Sequence, residues 1–447
     1  MQEMTTFLAA VDNLFRKVGL KYKSVKLDSG ERKGDAPRRE ETAGRSGSLI
    51  EFFRSARWLN PRRARGWCRM LGTVLGVCVL TYVALSTGSI GIDGKPLGTD
   101  FVSFYAASKL ALAGHPEQAY NVQSHLEAQT QIFNRSIGYG FFFYPPIYLL
   151  FCLPLALLPY GLSLALWLGT TLLAYWRVVR AFLGTTGLTE AILAFPAVLL
   201  TLGHGQNAFL STGLFGGAIL AQTRWPALSG VLFGALAFKP QLGIVIPFAL
   251  IATRRWNIFF AASVTVVALI ALTVALFGAD TWRSFLDGSA LAGMVLEQGV
   301  VEPYKMVSAY AGIRVLGGGS TFAFIVQGVV SLCAISAMTL TLRSRKRADE
   351  DNNPLMVVSA LLASPFLLDY DLTLLALPMA WLHREATRTR FLPYEKITLF
   401  AAFVLPLVSR LIGLVAHAPI GPLVIALRVA VREEGGGHGG NSVQQAR

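Results

Sequence analysis

Charge is what this chain has least of. Asp, Glu, Lys and Arg make up 15% of its 447 residues, against about 25% in an ordinary soluble domain. That scarcity excludes a string of soluble domains, which the length alone would allow. Alternating short segments of the outer-membrane barrel type are absent, which excludes that second membrane class. Cysteine is scarce too: Cys68, Cys78, Cys152 and Cys333 show no CxxC spacing and no loop framework, so buried free thiols are expected. The chain has no Walker A loop, no HExxH, no G-x-S-x-G and no dinucleotide fingerprint, so ATP-driven transport and soluble-type hydrolysis lack support and no cofactor is implied. No secretory signal precedes the first apolar run; the basic N-terminal stretch is expected to be cytosolic.

What the chain does have is apolar residues, 53% of the total, gathered in runs of roughly membrane-spanning length. The pattern predicts an all-α polytopic membrane protein. Segments are expected near 69–91, 146–159, 161–182, 189–204, 206–222, 226–253, 257–277, 321–342, 355–370, 371–383 and 396–416, with a short piece near 420–431. Several are short, and prolines at 145, 146, 154, 159, 196, 240, 247, 365, 378 and 406 predict kinks and breaks. Broken helices survive in lipid only where the freed backbone faces protein or a water-filled cavity. That suits an enzyme or a transporter, not a plain anchor. Three parts are expected: a basic tail over 1–66, a membrane domain over 67–431 and a disordered tail over 432–447.

The net charge of +14 comes largely from the first 66 residues and from clusters such as Arg343-Ser344-Arg345-Lys346-Arg347. Such clusters mark cytoplasmic loops and touch anionic headgroups, so no nucleic-acid partner is expected. Arg254-Arg255 and His383–Arg390 read the same way. Asp93–Tyr144 and the loop from Gly278 to Ser320 then lie outside, while the side of His204–Asn207 stays open, because Ala227–Thr253 reads as one kinked span or two short ones. Helices are expected near Thr6–Val18 and on the outer surface over Phe101–Ala113 and Thr281–Val295, while Leu49–Trp67 reads either as a helix on the inner surface or as a juxtamembrane linker.

Ionisable groups in or beside such segments default to functional hypotheses. Asp100 opens the first outside loop beside Phe101, Phe104 and Tyr105; it reads either as the N-cap of the following helix or as a base for a sugar hydroxyl. Lys239, in Lys239-Pro240-Gln241, reads as a phosphate ligand or as the partner of a buried carboxylate. Asp369 and Asp371 form a D-x-D, which binds a metal in some sugar-nucleotide enzymes but equally counters Lys239 or an Arg. His204, Gln206 and Asn207 suit sugar hydroxyls, or else hydrogen bonds between helices. Glu302, Tyr304, Lys305, Tyr310 and Arg314 offer a weaker set in the second loop, where Lys305 and Arg314 suit a phosphate.

Gly98-Thr99-Asp100-Phe101, Leu112-Ala113-Gly114-His115-Pro116, Tyr144-Pro145-Pro146, Leu153-Pro154-Leu155-Ala156-Leu157-Leu158-Pro159-Tyr160, Gly205-Gln206-Asn207, Lys239-Pro240-Gln241 and Ser364-Pro365 to Asp371 together resemble glycosyltransferase family 87 over roughly residues 70–420. The resemblance implies a GT-C-like bundle of about 10–12 transmembrane helices in a bacterial inner membrane. It implies a hexose, mannose-like, carried on a polyprenyl phosphate and passed to a glycolipid or glycan acceptor on the outer face. The family's loop acid carries over onto Asp100. Thr99 precedes it and the next acid is Glu117, so no metal site is expected there. Tyr105, Tyr144 and Gln206 are then expected to position sugars, with His204, Asn207, Gln241, Asp369 and Asp371 also lining the substrate site, and Lys239, Lys305 or Arg314 to stabilise the leaving phosphate. The competing reading is a flippase of polyprenyl-linked sugars, since broken helices with midplane charges suit transporters as well.

Overall fold

The computed structural model describes residues 50–185, 187–344, 355–417, 420–422 and 424–425. The chain divides into Met1–Ile50 and Glu51–Arg447, and nearly all described residues belong to the second unit. The expected helix near Thr6–Val18 and the two tails lie outside the described residues, as does most of the Arg343–Arg347 cluster. Among the described residues the fold is helical, with isolated bridges and no strand.

Among the described residues five helices are long and apolar enough to cross a membrane: α1 (Pro61–Ala84), α5 (Tyr160–Leu183), α12 (Trp256–Phe277), α15 (Ser320–Ser344) and α18 (Glu395–Val415). At 1.5 Å per residue, a helix such as α1 is about 36 Å long, enough for a hydrocarbon core of about 30 Å. None of its residues is buried, and Met70, Val74, Val77 and Leu80 lie exposed at helical spacing. A stripe of that kind suits a face turned to lipid. Cys78 and Cys333 lie exposed on α1 and α15, so only Cys152 fits the expectation of a buried thiol; all four are free.

α1 starts eight residues before the expected span. The Asn60 side chain accepts from Arg63 N at 3.0 Å, and Pro61 occupies the first turn, a strong local start signal. The expected surface helix Leu49–Trp67 is therefore not one helix: helical turns over 51–55 stop at Ala56, whose φ is 40°, before α1 begins.

The other predicted spans and the two outside loops are built from shorter helices. They include α2 (Phe101–Leu112), α3 (Val122–Phe133), α4 (Ile147–Cys152), α6 (Glu190–Ala194), α7 (Pro196–His204), α8 (Ala208–Ala221) and α9 (Pro226–Ala235). They continue with α10 (Pro240–Gly243), α11 (Ile246–Ala252), α13 (Ala279–Glu297), α14 (Ala309–Val315), α16 (Leu355–Ala363) and α17 (Ala376–Thr389). Pro196 and Pro240 sit in the first turns of α7 and α10, so the helix before each must end. The stretch 226–253 is thus broken at Lys239-Pro240. α9 packs against α12 through Gly230 and Gly234: a Cβ on either would lie 2.7 Å from Ile258 O or 2.8 Å from Ala262 O. Small residues four apart let membrane helices approach this closely.

Two expectations need correcting. Residues 146–159 do not cross the membrane. Tyr144 Oη bonds Gln206 at one end and Tyr160 Oη bonds Leu97 O at the other, and both partners belong to the Asp100 end of the molecule. Between them, Tyr105 Oη donates to Leu158 O and Ser108 Oγ to Leu153 O. Pro145, Pro146, Pro154 and Pro159 break the chain here, and it folds back as a re-entrant hairpin against α2. Nor does α2 lie on the surface with one face open, since every residue from Phe101 to Ser108 is buried. α13 does form where a surface helix was expected, and Phe285 on it meets Tyr120 of the first loop at 5.7 Å between ring centroids.

The first loop is closed by His125, buried on α3 outside the spanning helices. His125 Nε2 lies 3.1 Å from Ser103 O, and Gln129 clamps Gly140 through both its amide atoms. Burial lowers the His125 pKa from 6.5 to about 4. Between those values the unfolded chain takes up a proton that the folded chain refuses, so stability is lost as pH falls through that window. The thermal unfolding midpoint in detergent is expected to drop between about pH 7 and about pH 5, and His125→Gln to flatten that dependence. An unchanged slope in the variant would assign the effect to other groups.

Candidate functional site

The site forms where the broken helices end. Gly98, with φ at 68°, turns the chain against Leu164, and Tyr160 Oη holds Leu97 O at 2.6 Å. Asp100 N then donates to His204 O at 2.9 Å, which pins the start of α2 to the end of α7. This bond puts His204–Asn207 at the Asp100 end of the bundle, the point that the sequence left open. Gly205 makes the approach possible: its φ is 66°, and a Cβ there would lie 2.6 Å from Phe101 Cβ and 3.1 Å from Gly98 Cα. Only glycine tolerates both demands.

Asp100 occupies the N-cap position, but its side chain makes no capping bond. Its Oδ2 accepts from Gln206 Nε2 at 3.0 Å, and its Oδ1 lies 4.0 Å from His204 Nδ1. The carboxylate is 36% exposed. Gln206 uses its full capacity. Nε2 also donates to Tyr370 Oη at 3.1 Å, while Oε1 accepts from Asn207 N at 2.8 Å and Tyr144 Oη at 3.3 Å. An amide with both donors and both acceptor sites committed cannot rotate cheaply. It therefore holds one carboxylate oxygen in place and leaves the other open. His204 is oriented by Thr99, whose Oγ1 lies 2.8 Å from Nδ1.

Beneath this layer, Lys239 Nζ donates to Asp371 Oδ1 at 2.7 Å, with side chains 3% and 5% exposed. The ammonium also lies 5.7 Å from the centre of the Tyr370 ring. Lys239 is thus a closed ion pair under Tyr370, the alternative that the sequence allowed beside phosphate binding. The Asn207 amide is fully buried beside the Tyr144 and Tyr148 hydroxyls.

The D-x-D motif splits. Asp369 and Asp371 lie in a 3₁₀ turn, Asp369–Leu375, and face different cations. Asp369 Oδ2 accepts from Arg410 Nε at 3.0 Å and lies 2.6 Å from Nη2. Two carboxylates spent on two cations do not form one chelating pair.

The structure thus gathers Asp100, Tyr144, His204, Gln206, Asn207, Lys239, Asp369 and Asp371. Tyr105 is adjacent, but its hydroxyl is committed to Leu158 O. Gln241 is half-buried on α10. Lys305 pairs with Glu302 in the second loop, and Arg314 donates to Glu297 O and Gly318 O; neither reaches the Asp100 group. Tyr370 and Arg410 are additions. Arg410 carried a legible signal, being a charged residue inside the last long apolar run.

A family model described as glycosyltransferase family 87 matches residues 142–365, half of the chain. The matched stretch contains Tyr144, His204–Asn207 and Lys239; Asp100, Asp369 and Arg410 lie outside it. No curated protein and no solved structure matches the chain.

Proposed function

The chain belongs to glycosyltransferase family 87, and from that premise we propose that it transfers a mannose-like hexose from a polyprenyl phosphate to a glycolipid or glycan at the outer face of a bacterial inner membrane. The observation that carries this reading is the Asp100 carboxylate: uncapped, part-exposed, and fixed through one oxygen by Gln206. In the reaction, its open oxygen takes the proton of an acceptor hydroxyl. The hydroxyl oxygen attacks the anomeric carbon as the bond from that carbon to the phosphate oxygen breaks. The electron pair leaves with polyprenyl phosphate, and the configuration inverts. A monophosphate leaving group fits a site whose other two carboxylates, Asp369 and Asp371, are each held by a cation of the chain.

Charge distribution supports the side assigned. Arg65 donates to Gly187 O, Arg69 pairs with Glu190, and Gly184 packs on Arg384, all at helix ends away from Asp100. A basic end of the bundle reads as cytoplasmic, so the Asp100 end is external.

The test is transfer by purified protein in nanodiscs. Labelled polyprenyl-phosphate mannose should yield labelled glycolipid, with the linkage inverted by NMR. Product formed only from a nucleotide sugar would overturn the donor assignment. Donor crossing vesicle membranes without product would instead establish the flippase reading.

A further inference from the structure

We infer that Arg410, held by Asp369, is the cation that receives the donor's phosphate; this rests on the glycosyl-transfer reading above. The inference begins with what each cation near the site has left to give. Lys239 is sealed with Asp371, Lys305 is paired with Glu302, and Arg314 is tied to two carbonyls with its Nε buried away from solvent. Arg410 differs. Two of its nitrogens meet a single oxygen, Asp369 Oδ2, and its side chain is 36% exposed. A guanidinium carries five N–H donors in a planar fork, so donors remain for an incoming anion.

Its setting points the same way. Arg410 sits within α18, an apolar helix in which a charge is costly unless it has a function. Asp369 is buried, and its Oδ1 has no hydrogen-bond partner. The pair is therefore lopsided: the acid orients the fork and offsets its charge while the site is empty, without saturating it. Asp369 also lies within electrostatic range of His204, whose Nδ1 is 4.0 Å from Asp100 Oδ1. Asp369 thus ties the guanidinium it holds to the charges around Asp100. A phosphate on Arg410 then leaves the Asp100 carboxylate free to take the acceptor's proton. Phosphate oxygens match a planar fork better than a lone ammonium.

The ligand chemistry is a phosphate ester, whether of a polyprenol or of a phospholipid headgroup, and the test separates these. Donor KM, acceptor KM and inhibition by sugar-free polyprenyl phosphate would be measured in nanodiscs with and without phosphatidylglycerol. Arg410→Lys keeps the charge but loses the fork. It should raise the donor KM about ten-fold, the worth of one charged hydrogen bond, and leave the acceptor KM unchanged. Asp369→Asn keeps an acceptor for Arg410 but removes the competing negative charge, so polyprenyl phosphate should inhibit several-fold more tightly. A merely structural pair would weaken binding in both variants. If the wild-type protein transfers sugar while both variants keep its donor KM and inhibition, Arg410 does not hold the phosphate. Sensitivity to phosphatidylglycerol alone would assign Arg410 to bulk lipid and overturn the inference. Absence of transfer by the wild type defeats the functional reading first. Should Arg410→Lys fail to fold, Asp369→Asn decides alone, because tighter inhibition has no structural explanation.

Discussion

Asp100→Asn is expected to reduce the turnover of sugar transfer by at least about 100-fold, the lower end of what a positioned general base contributes. In barrier terms that is about 3 kcal/mol. Asparagine keeps the shape of the side chain and an oxygen that accepts from Gln206 Nε2, so the local geometry survives. What it removes is the capacity to take a proton. Donor and acceptor KM should therefore stay within a few-fold, with the loss falling on kcat, the signature of an interaction realised in the transition state. Thermal stability is the second readout. Asparagine caps a helix as well as aspartate does, and the Asp100 side chain makes no capping bond, so the replacement should leave the unfolding midpoint nearly unchanged. A variant that is destabilised but fully active would reverse both conclusions and return Asp100 to a structural role.

Lys239→Met should have the largest effect on stability, about 3–5 kcal/mol, because it strands a buried carboxylate without its cation. Asp371 is 5% exposed, so no water is at hand to take over. The double variant Lys239→Met/Asp371→Leu removes both charges together and should recover most of the loss, since an apolar pair in such a place is often no worse than the ion pair. The positive coupling between the two substitutions, read from denaturant unfolding in detergent, measures the pair itself. The same double variant decides what Lys239 does. As an ion pair beneath Tyr370, its removal should leave the donor KM within a few-fold of wild type. A steep rise in donor KM in a stable double variant would restore phosphate binding to Lys239.

The two cases show where local sequence stops being informative. Asp100 precedes a helical pattern, and that alone made capping plausible; its actual partner, Gln206, is 106 residues away. Lys239 announced itself as a cation in an apolar run, but Asp371, which claims it, is 132 residues away. Arg410 could be seen as a charge within the last long span, yet only its contact with Asp369 gives it a place in the site. The hairpin at 146–159 was misread for a related reason: hydropathy registers that a segment is apolar, not whether it is buried in lipid or against α2.

By itself the sequence determined the class, the long lipid-facing helices, the places where prolines break the others, and the acid that opens the first loop. These follow from local causes: the length of an apolar run, a missing N–H, and the cost of a charge among apolar neighbours. Tertiary structure alone decided which broken ends meet, and hence which charges are spent on each other and which stay open to a substrate. A side chain's hydrogen-bonding capacity is fixed by its type. Whether any of it remains for a ligand depends on partners that only the fold brings within reach.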